Sequence, residues 1–164
     1  MKQVQHDRNT LNMISVDQIK SLREKTGAGV MDCRRALEES KGDTKKAEEL
    51  LTKWGIEKSA KKADRETKAG MIDSYIHAGS KVGVMLELLC ETDFVARTDD
   101  FKKLSHELCL QISSMNPKDV KSLLKQEYIR DGRVKIEDLI KQTIGKLGEN
   151  IQISRFTRYT LGEK

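Results

Sequence analysis

The central segment of the chain reads Leu86-Glu87-Leu88-Leu89-Cys90-Glu91-Thr92-Asp93-Phe94-Val95-Ala96-Arg97. It begins as a strand, because residues 81–90 are rich in branched and apolar side chains and follow the turn residues Gly79-Ser80. At Glu91 the pattern changes to short polar side chains, which can accept the free N–H groups of a new helix, so we expect Thr92 or Asp93 to cap one. The segment therefore predicts a strand-to-helix corner that carries Phe94.

Phe94 has two interpretations at this corner. Large apolar side chains usually lie inside a folded protein, and Phe94 can simply fill the core. Alternatively, the corner is a rigid place from which the ring is presented to a partner. The chain has only three Phe, three Tyr and one Trp in 164 residues, so each ring matters either for packing or for contact.

The composition limits the classes of function. Charged residues make up 35% of the chain, and its net charge of +5 comes from 31 basic and 26 acidic residues. This balance permits nucleic-acid binding but does not require it, because binding needs basic residues on one face, and an acidic protein surface suits it equally well. Cys33, Cys90 and Cys109 lack metal-ligand spacing, so we predict buried, reduced thiols in a cytoplasmic protein.

Neither a membrane span nor a targeting segment is indicated. The longest apolar runs fall short of the roughly 18–20 residues that cross a bilayer. Residues 1–12 are polar and lack an apolar centre, so we interpret them as a disordered extension rather than a secretory signal or transit peptide.

Three short amphipathic helices are expected within residues 13–54. Ser15-Val16-Asp17-Gln18 is a capping box that begins the first helix, and Thr26-Gly27-Ala28-Gly29 ends it. Asp43 is expected to cap the third helix. The apolar faces of the second and third helices are predicted to consist of Val30, Cys33, Ala36, Leu37, Ala47, Leu50, Leu51 and Trp54.

The turn at residues 26–29 can serve packing or contact. Its two glycines can supply positive φ angles and allow a partner to approach closely, but the spacing is not that of a phosphate-binding loop. Of Val30 and Met31, which follow, we expect one to point inward and the other outward. An outward methionine would be an adaptable contact, and the residues alone leave contact and core filling equally open.

A charged linker is expected at residues 55–69. Five basic residues alternate there with acidic ones, which indicates a solvated helical connector, with a site for a polyanion as the alternative. The segment has no aromatic residue on which bases could stack, and this weakens the nucleic-acid alternative.

An α+β core domain is expected over residues 70–164. Strands at residues 71–77 and 81–90 form a hairpin, and a strand at 151–161 is the expected third antiparallel strand. Thr98 or Asp99 caps a helix that ends at Asn116-Pro117. The predicted apolar stripe of that helix consists of Phe101, Leu104, Leu108, Ile112 and Met115.

The rest of the core domain is only partly predicted. A further helix is expected at residues 136–147. Residues 118–133 have no assigned structure beyond a turn at Asp131-Gly132.

The corner segment closely resembles the core signature of the elongation factor Ts family. The match centres on Thr92-Asp93-Phe94-Val95-Ala96, and residues 22–37 resemble the family's amino-terminal signature. Gly148-Glu149-Asn150-Ile151 resembles its closing segment. Members of this family are guanine-nucleotide exchange factors for the translation GTPase elongation factor Tu.

The resemblance covers roughly residues 14–162, with several departures. Arg34 and Leu89 replace the residues more usual in the signatures, and the region around residues 124–133 is shorter than in the family. The chain holds one copy of the core module, whereas longer relatives hold two. Short members pair as symmetric dimers, so the resemblance implies a homodimer through the core sheet.

The resemblance also implies a set of functional residues. Thr92, Asp93, Phe94 and Val95 would contact the GTPase and displace its Mg²⁺, with Phe94 entering an apolar pocket and Asp93 fixing the corner. The residues that would dock the GTPase domain are Arg23, Gly29, Val30 and Met31. His77, expected at the hairpin tip, is a candidate contact. The partner would be elongation factor Tu, both GDP-bound and nucleotide-free.

The resemblance further implies an architecture: a three-helix bundle similar to ubiquitin-associated domains, a linker helix, and a three-stranded sheet packed by helices. No catalytic constellation is recognisable, so we expect a non-enzyme without cofactor, metal, membrane or direct nucleic-acid partner. The alternative function is a helical interaction module that binds ubiquitin or RNA.

Overall fold

The computed structural model describes residues 14–163, and the extension predicted at residues 1–12 lies outside them. The chain divides into two compact units, Met1–Lys53 and Trp54–Lys164. The fold is α+β, as predicted. In chain order its elements are α1 (Val16–Thr26), α2 (Val30–Glu39), α3 (Thr44–Ala60), β1 (Ala69–Ile76), β2 (Val82–Cys90), α4 (Asp93–Ala96), α5 (Asp99–Met115), α6 (Val120–Lys125), β3 (Glu127–Tyr128), β4 (Asp131–Lys135), α7 (Ile136–Leu147) and β5 (Ile151–Thr160).

The helix ends of the first unit follow the sequence signals. Ser15 accepts the N–H of Gln18, whose side chain accepts the N–H of Ser15, so the predicted capping box is confirmed. Gly27 ends α1 with a φ of 68°, a conformation that favours glycine. The Asp43 carboxylate accepts the N–H of Lys46 at 3.2 Å and caps α3 as expected.

The core of the first unit corrects one predicted face. Its buried apolar residues are Leu22, Cys33, Ala36, Leu37, Ala47 and Leu51. Val30 was expected among them but is 49% exposed, and Met31 is 71% exposed, so the expectation that one of the pair points inward is wrong. Both residues lie in the first turn of α2, and the inward face of that helix begins only at Cys33.

The second unit is built on an antiparallel sheet with the strand order β1-β2-β5. The predicted third strand is therefore confirmed, and it pairs with β2 from Val82↔Thr160 to Cys90↔Ile151. Alternate residues of β2 point into the core, namely Val84, Leu86, Leu88 and Cys90. The first strand ends at Ile76 rather than His77, so His77 lies just beyond it.

Helix α5 packs against the sheet through its apolar stripe. Thr98 is its N-cap and accepts the N–H of Phe101. The buried members of the stripe are Phe101, Leu104, Leu108 and Ile112. Met115 was predicted as the fifth member but is 50% exposed, because it is the last residue of the helix, next to the C-cap Asn116.

Residues 118–135 hold a short helix and a small two-stranded sheet, neither of which the sequence predicted. The turn between β3 and β4 is formed by Ile129-Arg130, so the prediction of a turn at Asp131-Gly132 is wrong. The buried Gln111 of α5 explains the shift: its amide nitrogen donates to the Glu127 carbonyl at 3.0 Å, and its amide oxygen accepts the Ile129 N–H at 2.9 Å.

Candidate functional site

The corner after β2 presents Phe94 to solvent. The strand ends at Cys90, two residues (Glu91 and Thr92) connect it to Asp93, and the single helical turn α4 begins there. Phe94 is 83% exposed, the largest exposure among the large apolar side chains of the described residues. Its neighbour Val95 is only 6% exposed and packs in the core. The turn is therefore anchored on one side while it holds the phenyl ring outward.

Thr92 caps this turn and is itself held by Glu149. The Thr92 hydroxyl accepts the Val95 N–H at 3.4 Å. The same hydroxyl donates to Oε1 of Glu149 at 2.7 Å, and the Thr92 N–H donates to Oε2 of Glu149 at 3.0 Å. One carboxylate thus accepts both hydrogen bonds that Thr92 can donate, from a residue 57 positions later in the chain.

A second carboxylate of the corner, that of Glu91, contacts the loop before β5 and the segment before β1. Oε1 of Glu91 accepts the Asn150 N–H at 2.7 Å and lies 3.5 Å from a guanidinium nitrogen of Arg65. The buried Asn150 amide donates to the carbonyls of Ala63 and Arg65 at 3.1 and 2.8 Å. The corner, the loop before β5 and the segment before β1 are therefore joined by reciprocal hydrogen bonds.

These contacts decide between the sequence expectations at the corner. Core filling by Phe94 is wrong, since the ring lies in solvent. Thr92 rather than Asp93 is the cap, and the exposed Asp93 side chain makes no hydrogen bond to any described residue. The expectation that Asp93 fixes the corner is corrected accordingly: Thr92 and Glu149 do so. Val95 contributes to the core and not to the surface.

The expected docking residues lie in the first unit. Arg23, Gly29, Val30 and Met31 are all exposed around the turn between α1 and α2. Of the two glycines in that turn, Gly27 has a positive φ, whereas Gly29 is extended, with a φ of −62°, and is the N-cap of α2. The turn is held from beneath by Cys33, whose buried thiol donates to the Ala28 carbonyl. Burial raises the pKa of this thiol.

His77 is exposed at the tip of the β1–β2 hairpin. Its Nδ1 lies 3.0 Å from the hydroxyl of Tyr75, and the two rings are 6.0 Å apart. Tyr75 in turn stacks edge-on against His106 of α5 at 5.8 Å. The histidine is thus positioned by a contact that runs back to the body of the second unit.

Two common kinds of reactive group are not found among the described residues. They contain no group of three or more His, Cys, Asp or Glu residues that could hold a metal ion. Burial raises the pKa of the Cys109 thiol to about 12 and raises that of Cys90, so neither thiol is a reactive nucleophile. Within residues 14–163, no helix is both long and apolar enough to cross a membrane.

The outer face of the sheet is partly apolar and uncovered within the described structure. Near the Cys90 end it is polar, and Glu87 there accepts hydrogen bonds from Ser154 and Arg155. Toward the opposite end lie four exposed apolar side chains, Ile76, Met85, Tyr159 and Leu161, and a fifth, Ile72, is exposed opposite Glu87. Gly83 keeps this region open, because a Cβ there would come within 3.0 Å of the Ile76 side chain.

Sequence reasoning did not find Glu91, Glu149 or Asn150 as parts of the site. The sequence identifies Gly148-Glu149-Asn150 only as part of the closing segment that follows the helix expected at residues 136–147. Its contacts with the corner join residues 57 and 59 positions apart, for which a single sequence holds no periodic signal. A resemblance that covers both the corner and the closing segment was the only available indication that the two belong together.

Comparison with known proteins gives a consistent match. A family model described as Elongation factor TS matches residues 91–164. Elongation factor Ts of Fervidobacterium nodosum is 43% identical over 195 aligned positions, which include 92% of this chain and 99% of that protein. The corresponding protein of Thermotoga maritima is 42% identical, with 92% and 97% of the two chains covered.

Elongation factor Ts of Thermoanaerobacter pseudethanolicus is 40% identical, and the alignment covers 92% of this chain and 96% of that protein. The alignment with the Fervidobacterium protein is 195 positions long, whereas this chain has 164 residues. That relative therefore contains internal residues that this chain lacks.

Proposed function

The chain belongs to the elongation factor Ts family, and we propose that Phe94 makes its main contribution to nucleotide exchange. Members of this family exchange guanine nucleotides on the GTPase elongation factor Tu during translation elongation. The observation that carries this proposal is the 83% exposure of a phenyl ring on a corner fixed by hydrogen bonds. When a partner covers a large apolar side chain that was held in water, the free energy falls, and this favours binding.

Exchange requires no covalent step. An exchange factor must bind the GTPase more tightly when GDP and Mg²⁺ are absent than when they are present, and the ratio of these affinities is its whole effect. In this proposal Phe94 enters an apolar pocket of elongation factor Tu beside the nucleotide, and so moves the elements that hold Mg²⁺ and the phosphates. The chain would then act without a cofactor and would not be an enzyme in the chemical sense.

The free energy available from burial of Phe94 is comparable with a typical coupling free energy between two ligands. Burial of one phenylalanine side chain contributes about 1.5–3 kcal/mol. Typical coupling between two ligands is about 1–3 kcal/mol, so the ring can offset much of the distortion of the nucleotide site. Binding itself needs a wider interface, and we assign it to Arg23, Gly29, Val30 and Met31, with Thr92, Asp93 and His77 as further contacts.

Val95 takes a different part in this proposal from the one expected. Its buried side chain anchors the turn, so it would support the contact without touching the GTPase. The three N-terminal helices would act as a docking module similar to ubiquitin-associated domains. The corresponding division of the chain is residues 13–54 for docking, 55–69 as linker and 70–164 as the α+β core, in a cytoplasmic protein.

We further propose a symmetric homodimer through the outer face of the core sheet. The five exposed apolar residues on that face make up a patch that water solvates poorly. A second copy of the chain offers the same patch, and a two-fold axis would bury both at once. Two chains would then supply the two core modules found in longer relatives.

The test of the exchange function is the release of a fluorescent GDP analogue from elongation factor Tu. The unsubstituted chain and Phe94→Ala are titrated separately, with Ile129→Ala as the control for loss of an exposed apolar side chain outside the corner. We expect the unsubstituted chain and the control to accelerate release alike, and Phe94→Ala to lower the maximal rate at least tenfold while remaining folded.

Other results would contradict the proposal in distinguishable ways. No acceleration by the folded, unsubstituted chain, as monomer or dimer, would exclude exchange activity. Full activity of Phe94→Ala would be consistent with exchange activity but would exclude Phe94 as its main contributor. In the same titration the combined variant Arg23→Ala/Met31→Ala should raise the half-saturating concentration. An unchanged value would exclude these residues from docking.

A further inference from the structure

Glu149 is the acceptor for both donors of the residue that caps the Phe94 turn. Its two carboxylate oxygens accept separate hydrogen bonds, from the backbone N–H and from the side-chain hydroxyl of Thr92, at 3.0 and 2.7 Å. A charged acceptor makes these bonds stronger than neutral ones. The arrangement fixes both the backbone and the side chain of Thr92.

This contact also determines what the Thr92 hydroxyl can do. A threonine hydroxyl has one proton to donate and lone pairs to accept with, and it rotates to suit its neighbours. Because Glu149 takes the proton, a lone pair of the hydroxyl remains directed at the Val95 N–H, which is 3.4 Å away. Glu149 therefore orients the cap of the turn as well as holding it.

The turn needs such support because it is short. Helix α4 has four residues, and an isolated helical segment of that length is unstable in water. Phe94 gives it no anchorage, since its ring lies in solvent, whereas Val95 and Ala96 pack in the core. The direction of the ring is thus set by two things together, the core packing of Val95 and Ala96 and the hydrogen bonds at the start of the turn.

Glu149 is itself held in a defined place. It follows Gly148, the C-cap of α7, which has a φ of 80°. It precedes Asn150, whose backbone N–H donates to Glu91 and whose amide donates to the carbonyls of Ala63 and Arg65. The carboxylate thus reaches the corner from a loop that is fixed on its other side.

We propose that Glu149 is a positioning residue for exchange, which acts by holding the Thr92 cap so that Phe94 reaches the GTPase already ordered. The proposal rests on the function proposed above. Glu149 is half-buried at the rim of the corner, and Thr92 is exposed, so their contact lies at the surface rather than in the apolar core. Its loss should therefore free the turn while the fold persists.

The experiment combines nucleotide release with amide hydrogen exchange. Glu149→Ala is titrated against elongation factor Tu loaded with a fluorescent GDP analogue, alone and in the Phe94→Ala background. Glu127→Ala serves as the control, because its exposed carboxylate makes no hydrogen bond to any described residue. Glu149→Gln retains one acceptor oxygen and should have an intermediate effect. It also replaces the alanine variant should that variant fail to fold.

We expect Glu149→Ala to lower the maximal release rate about tenfold, which corresponds to about 1.4 kcal/mol, with the half-saturating concentration changed less than twofold. In the Phe94→Ala background the same substitution should change the rate less than twofold, because the group that it positions is gone. The amides of Thr92 and Val95 should exchange faster with solvent, while the midpoint of thermal unfolding stays near that of the control.

Three results would overturn the proposal. An unchanged maximal rate in Glu149→Ala, with Phe94→Ala strongly impaired, would remove Glu149 and leave the exchange function intact. A full effect of Glu149→Ala in the Phe94→Ala background would indicate a general structural role. Full activity of Phe94→Ala would overturn both the proposed role of Phe94 and this inference. The Phe94→Ala single variant alone reveals that result.

Discussion

The buried Asn150 joins the loop before β5 to the segment before β1 and to the Glu91 side chain of the corner. Its side chain is 2% exposed, and its amide group donates to two carbonyls of the segment before β1. An apolar side chain at this position would leave both carbonyls without these donors. A buried polar group that loses its partner costs about 1–3 kcal/mol.

We therefore predict that Asn150→Ala lowers the free energy of unfolding by about 2–3 kcal/mol. Urea denaturation measures this free energy from the unfolding transition of the second unit. Gln152→Ala, two residues later and exposed, is the matched control. An effect no larger than that of the control would mean that water replaces the Asn150 amide at little cost.

The residue scale is where sequence reasoning about the site succeeded least. The pattern from Leu86 to Arg97 correctly predicted a strand-to-helix corner, because it depends on neighbours in the chain. It could not say whether Phe94 points inward or outward, since that depends on which neighbouring side chain fills the core, and here Val95 does. Asp93 and Thr92 are both good caps by residue type; in the structure Thr92 is the cap, with an extended backbone and a hydroxyl that accepts the Val95 N–H.

At the scale of elements, two helices approach each other through glycines. Gly55 in the C-terminal part of α3 faces Gly145 of α7. A Cβ on Gly145 would lie 2.6 Å from the Cα and 2.8 Å from the carbonyl oxygen of Gly55, and these backbone atoms cannot move aside without moving the helix. A Cβ on Gly55 would instead meet its nearest atoms at 4.0 Å, an ordinary contact.

The two glycines are therefore predicted to respond differently to alanine. Gly145→Ala should destabilise the chain by about 1–3 kcal/mol, because it forces the two helices apart. Gly55→Ala should be neutral or stabilising by up to about 1 kcal/mol, because alanine favours helix over glycine. Thermal unfolding of both variants tests this, and equal effects would exclude the asymmetric packing.

The β3–β4 hairpin is a second element held by side chains of α5. Glu107 accepts hydrogen bonds from the Tyr128 hydroxyl and from Nε of Arg130, both at 2.6 Å. Burial acts to raise the pKa of Glu107, but the hydrogen bonds from Arg130 and Tyr128 outweigh it and hold that pKa below its ordinary value. The folded state therefore favours the ionised carboxylate.

This shift has a definite consequence for stability in acid. A carboxylate whose pKa is lower in the folded than in the unfolded chain stabilises the fold above its unfolded pKa, which is about 4.3, and this stabilisation disappears as the pH falls through the folded pKa. We expect Glu107→Gln to be less stable than the unsubstituted chain at neutral pH. The difference should shrink as the pH falls below about 4.

Urea denaturation at a series of pH values measures this difference. The comparison with Glu107→Gln separates the contribution of Glu107 from that of Asp131, which also titrates in acid. The side chain of Arg133 lowers the pKa of Asp131 to about 2. A difference that stays constant from neutral to acid pH would mean that the charge of Glu107 does not stabilise the hairpin.

Long elements were predicted well and short ones were not, for a physical reason. Helix α7 and strand β5 each span several repeats of their period, so the apolar pattern indicates them clearly. Helix α6 has six residues, and β3 and β4 have two and five, too few to show a period. The hairpin is instead determined by Gln111 and Glu107, which lie on α5 and about twenty residues earlier.

At the scale of the whole molecule, the two faces of the sheet differ in how far they are covered. One face packs against helices, and the other carries Ile76, Met85 and Tyr159 in solvent toward the hairpin end. The alternation of β2 predicted the inner face, but whether the outer face is covered depends on another chain, about which the pattern says nothing. The remaining surface is highly charged, so this apolar region is the part of the sheet that a second copy would cover most favourably.

We predict that Met85→Lys converts the proposed dimer into a monomer. Met85 lies on the central strand, so a two-fold interface would place two charged side chains at its middle, and each would lose water without gaining a partner. Light scattering coupled to size exclusion measures the mass. Met115→Lys makes the same change at a methionine of nearly equal exposure, 50% against 53%, on α5, and should leave the mass unchanged. If the unsubstituted chain is already monomeric at all concentrations tested, or if Met85→Lys remains dimeric, the sheet face is not the interface. In the first case, any exchange activity belongs to a chain with a single core module.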